Sequence, residues 1–136
     1  MNRVVLIHWN AAEAPERLAR INAVDYEAQF VLPYGASGLE FLSQEAPLAL
    51  VIDLSRLPSH GREIGSWVRR RKATRHLPIV FVSGEPAKAQ RTRELLPDAT
   101  FAEWPTIGAA LRKAITSPPW SGLLFGRRRS KQIRSE

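Results

Sequence analysis

The sequence predicts an α/β domain built on a parallel sheet with helices on both faces. Three observations carry this. Segments of strand character alternate five times with segments of helical periodicity along 136 residues, an order that calls for crossover connections and a parallel sheet. The third strand segment, Leu48 to Leu54, is apolar apart from Asp53 and shows no in–out alternation, as in a strand covered on both faces. A chain of this length forms one domain and buries roughly two-thirds of its unfolded surface without covalent staples.

The elements follow in order. Arg3 to Ile7 is a short β-branched and apolar run that reads as a buried strand. Asn10 is a candidate cap and Pro15 suits a first helical turn, so a helix is expected over Ala14 to Val24 with Leu18 and Ile21 inward. Ala28 to Leu32 reads as the second strand, closed by Pro33 and Gly35. Ser37 with Glu40 three residues later is a capping-box pattern. It predicts a helix holding Leu39, Phe41 and Leu42 that stops before Pro47. After the third strand, a loop with Pro58 and Gly61 is expected, then a helix through Ile64, Trp67 and Val68 to about Lys72. Ile79 to Val82 is the fourth strand, ended by Ser83-Gly84. Glu85 to Leu96 is expected to be helical and Thr100 to Trp104 to be the fifth strand. Pro105 opens the next turn, and Ile107, Ala110, Leu111 and Ile115 mark the last helix.

Composition excludes several functions. There is no Cys, which removes disulfides, thiol catalysis and cysteine-based zinc sites. The apolar start is interrupted by His8 and Asn10, too early for a signal peptide, and no run approaches the roughly 18 apolar residues of a membrane span. A cytoplasmic protein is expected. The net charge is +7, but Arg127, Arg128, Arg129, Lys131 and Arg134 near the C-terminus oppose Glu136 alone. The excess therefore belongs largely to the tail and is weak ground for nucleic-acid binding by the rest.

In an open parallel sheet, ligands bind beyond the carboxyl ends of the strands. His8, Asp53 and Ser83 each end a predicted strand, so they should meet at one rim. With these residues in place, residues 3–116 resemble the receiver domain of two-component response regulators, the CheY-like family. The resemblance rests on Asp53 at the phosphoacceptor position, Gly61 eight residues later, Ser83 ending the fourth strand, the run Leu77-Pro78-Ile79-Val80-Phe81-Val82-Ser83, Phe101 at the aromatic switch position and Pro105 closing the fifth strand. It implies a flavodoxin-like, doubly wound five-stranded sheet of order 2-1-3-4-5. The chain would then divide into a receiver-like domain, 1–116, and a Pro-broken apolar and basic tail, 117–136.

The departures from the family are equally specific. The resemblance places an acidic, Mg²⁺-holding pair after the first strand, where this chain has His8-Trp9, and a Lys before the Pro of the fifth strand, where it has Trp104. The Pro expected four residues after the acceptor is displaced to Pro58. Phosphoryl transfer to a carboxylate depends on positioning and on neutralising negative charge. Mg²⁺ wants hard oxygen ligands, and imidazole and indole are poor replacements. Asn10 and Asp53 alone supply little negative charge. The chain reads as a degenerate, or pseudo-, receiver in which His8, Trp9 and Trp104 form the altered pocket, no cofactor is bound, and Asp53 is not efficiently phosphorylated.

Plainer roles stand beside these. Asp53 could cap the next turn or pair with His8. Trp9 and Trp104 could fill the space of ion and water or pack under loops. Phe101 could be ordinary core. His8 and Asp53 alone make no metal site. A Ser83-His8-Asp53 triad lacks a nucleophile elbow, and glycine-rich phosphate loops are absent. Arg69 to Lys72 reads as a solvated helix end favoured by the helix dipole.

The tail sets Trp120, Leu123, Leu124 and Phe125 beside the arginines, a pairing suited to an anionic membrane surface, a nucleic-acid backbone or an acidic protein. The arginines themselves suit a disordered segment. The expected function is a stand-alone, non-enzymatic receiver-like module that acts in signalling through a protein partner. The resemblance implies an output and dimer surface on the family's fourth helix, fifth strand and fifth helix, roughly Glu85 to Ile115. A phosphoacceptor working through Asp53, Ser83 and Phe101 is one alternative. A tail-mediated membrane or nucleic-acid adaptor is the other.

Overall fold

The structure is a computed structural model that describes residues 2–33 and 36–117, without the side chains of Ala36 and Ser37. The expectations for Gly35 and for the apolar and basic tail beyond Ser117 lie outside these residues. Five strands, β1 (Arg3–Ile7), β2 (Glu27–Val31), β3 (Ala49–Asp53), β4 (Ile79–Val82) and β5 (Thr100–Ala102), form one sheet in the order β2-β1-β3-β4-β5. Every neighbouring pair is parallel. The helices are α1 (Ala14–Asn22), α2 (Pro58–Arg70), α3 (Pro86–Leu95) and α4 (Ile107–Thr116). The doubly wound α/β fold and its strand order are as the sequence and the resemblance predict.

Strand periodicity divides the core into two layers. Val5, Ile7, Leu50, Ile52, Ile79 and Phe81 point to the face covered by Ile64 and Val68 of α2 and by Leu39 and Leu42. Val4, Leu6, Val51, Val80 and Val82 point to the face covered by Ile21 of α1 and by Ile107 and Leu111 of α4. All five residues of β3 are buried, which is why its sequence shows no alternation.

Four local expectations need correction. The segment after β2 is a 3-10 helix, Ala36–Ser43, rather than an α-helix. Three residues per turn set Leu39 and Leu42 above one another, and both are fully buried. Glu40 bonds Arg71 at 2.9 Å. Pro58 and Gly61 belong to α2, not to a loop. Pro58 stands in the first turn, where its missing N–H costs nothing, and Gly61 lets the helix approach β3, since a Cβ there would lie 2.6 Å from Leu54 Cδ2. The fifth strand stops at Ala102, and Trp104 begins a 3-10 turn, Trp104–Thr106. Pro105 has no N–H to continue a ladder, and the turn carries the Trp104 ring back over the sheet. Finally, Arg69 is not a solvated charge. It is half-buried and donates to the carbonyls of Arg75 (3.1 Å) and Leu77 (2.7 Å), and burial lowers its pKa. Among the described residues no helix is long and apolar enough to cross a membrane.

Candidate functional site

The site forms at the carboxyl rim because the strands are parallel and in register. Ile7 pairs with Ile52, so His8 and Asp53 leave β1 and β3 at the same level. Asp53 pairs with Val82, and Val82 with Ala102, which sets the ends of β4 and β5 beside them. His8 and Asp53 are both fully buried.

Each oxygen of the Asp53 carboxylate already has a donor. Oδ1 accepts the backbone N–H of Ser55 at 2.8 Å and also the Ser55 hydroxyl. This is an Asx-type turn that fixes the exit of β3. Oδ2 accepts the indole N–H of Trp104 at 3.0 Å. Arg17 of α1 lies over the Trp104 ring, its guanidinium carbon 5.4 Å from the ring centroid, and brings Nε to 3.7 Å from Asp53 Oδ2. The cap of Asp53 is thus an indole N–H at the ring edge, with a cation over the face of the same ring.

His8 sits between two carboxylates. Its Nε2 is 2.9 Å from Glu13 Oε1, while its Nδ1 is 3.9 Å from Asp53 Oδ1 and has no hydrogen-bond partner among the described residues. Glu13 also accepts Arg56 Nη2 at 2.5 Å. The Arg56 bond, then the His8 contact, holds the Glu13 carboxyl at a pKa of about 2 against an ordinary 4.5, and the Glu13 bond raises that of Arg56. Two carboxylates, two guanidiniums and one imidazole therefore form a continuous network from β1 through α1 to the β3–α2 connection.

Of the residues singled out in the sequence, the structure brings together His8, Asp53 and Trp104 and leaves the others apart. Trp9 turns away to the α2 side, where it meets His60 edge-on at 5.9 Å and packs on the core. Only Trp104 of the two tryptophans fills the space over Asp53, because the side chain after His8 points to the opposite face of β1. Ser83 adopts a left-handed conformation, φ 64°, ahead of Gly84 at 97°, and bonds Ala102 O through its N–H at 3.1 Å. It lines a groove with Phe81, Arg93 and Phe101 on the α3 side. Phe101 is half-buried, stacked on Phe81 at 5.3 Å and covered by Arg93 at 4.3 Å.

Four members of the network escaped sequence reasoning. Ser55 had a signal, since Asp-x-Ser at a strand end predicts an Asx turn. Arg17 follows Glu13 by one helical turn and so shares its face. Nothing in the sequence links Glu13 to Arg56, which lie 43 residues apart.

The donor set does not fit a hard divalent cation. The pocket offers an imidazole and two carboxylates, Asp53 and Glu13, both already engaged by donors, where Mg²⁺ wants several free oxygen ligands. Among the described residues no group of three or more His, Asp or Glu is arranged to hold a metal.

No family model and no curated protein matches the chain. Solved structures do match. A sensor protein from Polaromonas sp. JS666 superposes with a TM-score of 0.69 at 19% identity, covering 84% of this chain and 95% of that one. The Vibrio cholerae chemotaxis protein CheY4 gives 0.66 at 16% identity, with 84% and 98% covered. The receiver domain of a Pseudomonas aeruginosa sensor histidine kinase, which has a magnesium ion coordinated in its active-site cleft, gives 0.65 at 14% identity, with 85% and 98% covered. At these identities the likeness is one of fold: the chain has the CheY-like, flavodoxin-type fold of receiver domains.

Proposed function

We propose that this chain is a signalling module of receiver type that works by protein–protein contact, with Asp53 serving as a buried structural acceptor and not as a phosphoacceptor. The observation that carries the reading is the Trp104 bond to Asp53 Oδ2 within a fully buried site. A carboxylate nucleophile needs an open line of approach to phosphorus, and Trp104 lies across that oxygen. A neutral indole also cannot neutralise the charge of a phosphoryl group. In this reading the module is not an enzyme and is degenerate as a receiver.

The partner surface follows from the resemblance, at Glu85 to Ile115. Of the ten residues of α3 only Thr92 is buried, so this helix spends little of its surface on its own core. The face suits a signalling protein or a second copy of the chain.

A working phosphoacceptor is the second reading. It is favoured by Arg17 and Arg56, which put two cations at the rim. Incubating the purified chain with a small-molecule phosphodonor and Mg²⁺, followed by intact mass measurement, decides between them. The mass is expected to stay unchanged. A stoichiometric gain of one phosphoryl group, abolished by Asp53→Asn, would establish the second reading.

A further inference from the structure

The cleft between α2 and α3 lies away from Asp53 and away from the β5 face. Ser59, Arg62, Glu63, Ser66 and Arg70 line it from one side of α2, and Leu95 closes it from α3. Positions 62, 66 and 70 recur at one helical turn and so form a single stripe.

The basic run that looked uniform in sequence divides here into spent and unspent cations. Arg69 is committed to the carbonyls of Arg75 and Leu77, and Arg71 to Glu40 and the Trp67 ring. Among the described residues Arg62 and Arg70 have no carboxylate partner. Arg62 Nη1 is moreover buried with no hydrogen-bond partner among the described residues, an arrangement that costs free energy until an acceptor arrives.

The α3 wall adds to this. Lys88 and Arg91 precede Leu95 by seven and four residues, which places them on the Leu95 side of the helix, and neither is ion-paired among the described residues. Arg93 faces the other way, over Phe101. Leu95 is 59% exposed, an apolar side chain that lines the cleft with Arg62, Arg70 and a carboxylate, Glu63.

We infer that the α2–α3 cleft is a docking site for an acidic peptide segment of a partner protein. The segment's carboxylates would meet Arg62, Arg70, Lys88 and Arg91, and an apolar side chain of the segment would lie on Leu95. Charge complementarity excludes a second copy of this basic surface. Glu63 in the cleft wall disfavours a nucleic-acid backbone, whose evenly spaced phosphates call for unbroken cations, and the apolar seat at Leu95 offers a phosphate chain nothing.

Fluorescence polarisation on the full chain tests this, using a short labelled peptide of alternating Glu and Leu, its Gln–Leu analogue and a labelled single-stranded oligonucleotide. The acidic peptide is expected to bind, and the Gln–Leu analogue to bind about tenfold or more weakly. Arg62→Gln with Arg70→Gln should weaken the acidic peptide by about tenfold, and Lys88→Gln with Arg91→Gln, on exposed positions that do not endanger folding, should do likewise. Arg112→Gln with Lys113→Gln, on α4, should leave binding unchanged. The inference is overturned if the acidic peptide does not bind, or if Arg127→Gln, Arg128→Gln and Arg129→Gln together remove all binding. It is equally overturned if the oligonucleotide outcompetes the peptide at the cleft, or if the α4 substitutions weaken binding as much as the cleft substitutions.

Discussion

The Trp104 indole N–H donates to Asp53 Oδ2 across 3.0 Å, joining the turn after β5 to the end of β3 with both side chains buried. A buried carboxylate oxygen that loses its donor bears the desolvation cost alone. Trp104→Phe keeps most of the ring and its stacking under Arg17 but deletes the N–H. The variant is expected to lose about 1–3 kcal/mol of stability, read as a lowered urea midpoint at neutral pH with an unchanged slope. A midpoint equal to that of the wild type would mean that Arg17, at 3.7 Å, already satisfies the oxygen.

Glu13 sets an acid dependence. Its folded-state pKa of about 2, caused first by Arg56 and then by His8, lies below its ordinary 4.5. A depressed carboxylate contributes stability that is fully present above the unfolded pKa and is lost as pH falls through the window toward the folded value. Between pH 4.5 and about 2 the wild type should therefore lose stability faster than Glu13→Gln. The two melting curves should differ at neutral pH and converge in acid. Parallel Tm profiles across that window would show that the contact with Arg56 and His8 carries no linked proton.

Gly65 lies on the buried side of α2, where a Cβ would stand 2.7 Å from Leu96 Cδ1 and 2.9 Å from Phe81 Cζ. Alanine would gain about 1 kcal/mol of helix propensity but would overpack the core at about 1–3 kcal/mol. Phe81 has little room to yield, since Phe101 stacks on it. Gly65→Ala is expected to be destabilising on balance, by up to about 2 kcal/mol, and thermal or urea unfolding would report a gain if the propensity term won.

Ser83 holds a left-handed backbone at φ 64°. That conformation costs an L-residue roughly 1–2 kcal/mol, against about 0.5–1 kcal/mol for the extra freedom of glycine in the unfolded chain. Ser83→Gly should thus leave stability level or raise it slightly. Ser83→Val, β-branched at the same φ, should lower it by about 1 kcal/mol or more. Equal stability of the two variants in urea would show that the β4–α3 connection relaxes out of this conformation.

The alternation of elements, the fully apolar β3 and the placement of His8, Asp53 and Ser83 at strand ends were legible in the chain itself. They depend on periodicity and on strand direction, which are local properties. The 3-10 conformation of residues 36–43 and the placement of Pro58 and Gly61 in α2 were not legible, because packing on β3 and on the Leu39–Leu42 pair outweighed local propensity.

By itself the sequence determined the α/β class and the strand boundaries to within a residue or two. Only the tertiary structure decided which of Trp9 and Trp104 meets Asp53. Strand pleat sends Trp9 toward His60, while a turn imposed at Pro105 sends Trp104 to Asp53. It also recruited Glu13, Arg17 and Arg56, and separated the committed Arg69 and Arg71 from Arg62 and Arg70, which have no carboxylate partner among the described residues. These outcomes depend on through-space electrostatics and burial between residues distant along the chain, and no spacing within a single element encodes them.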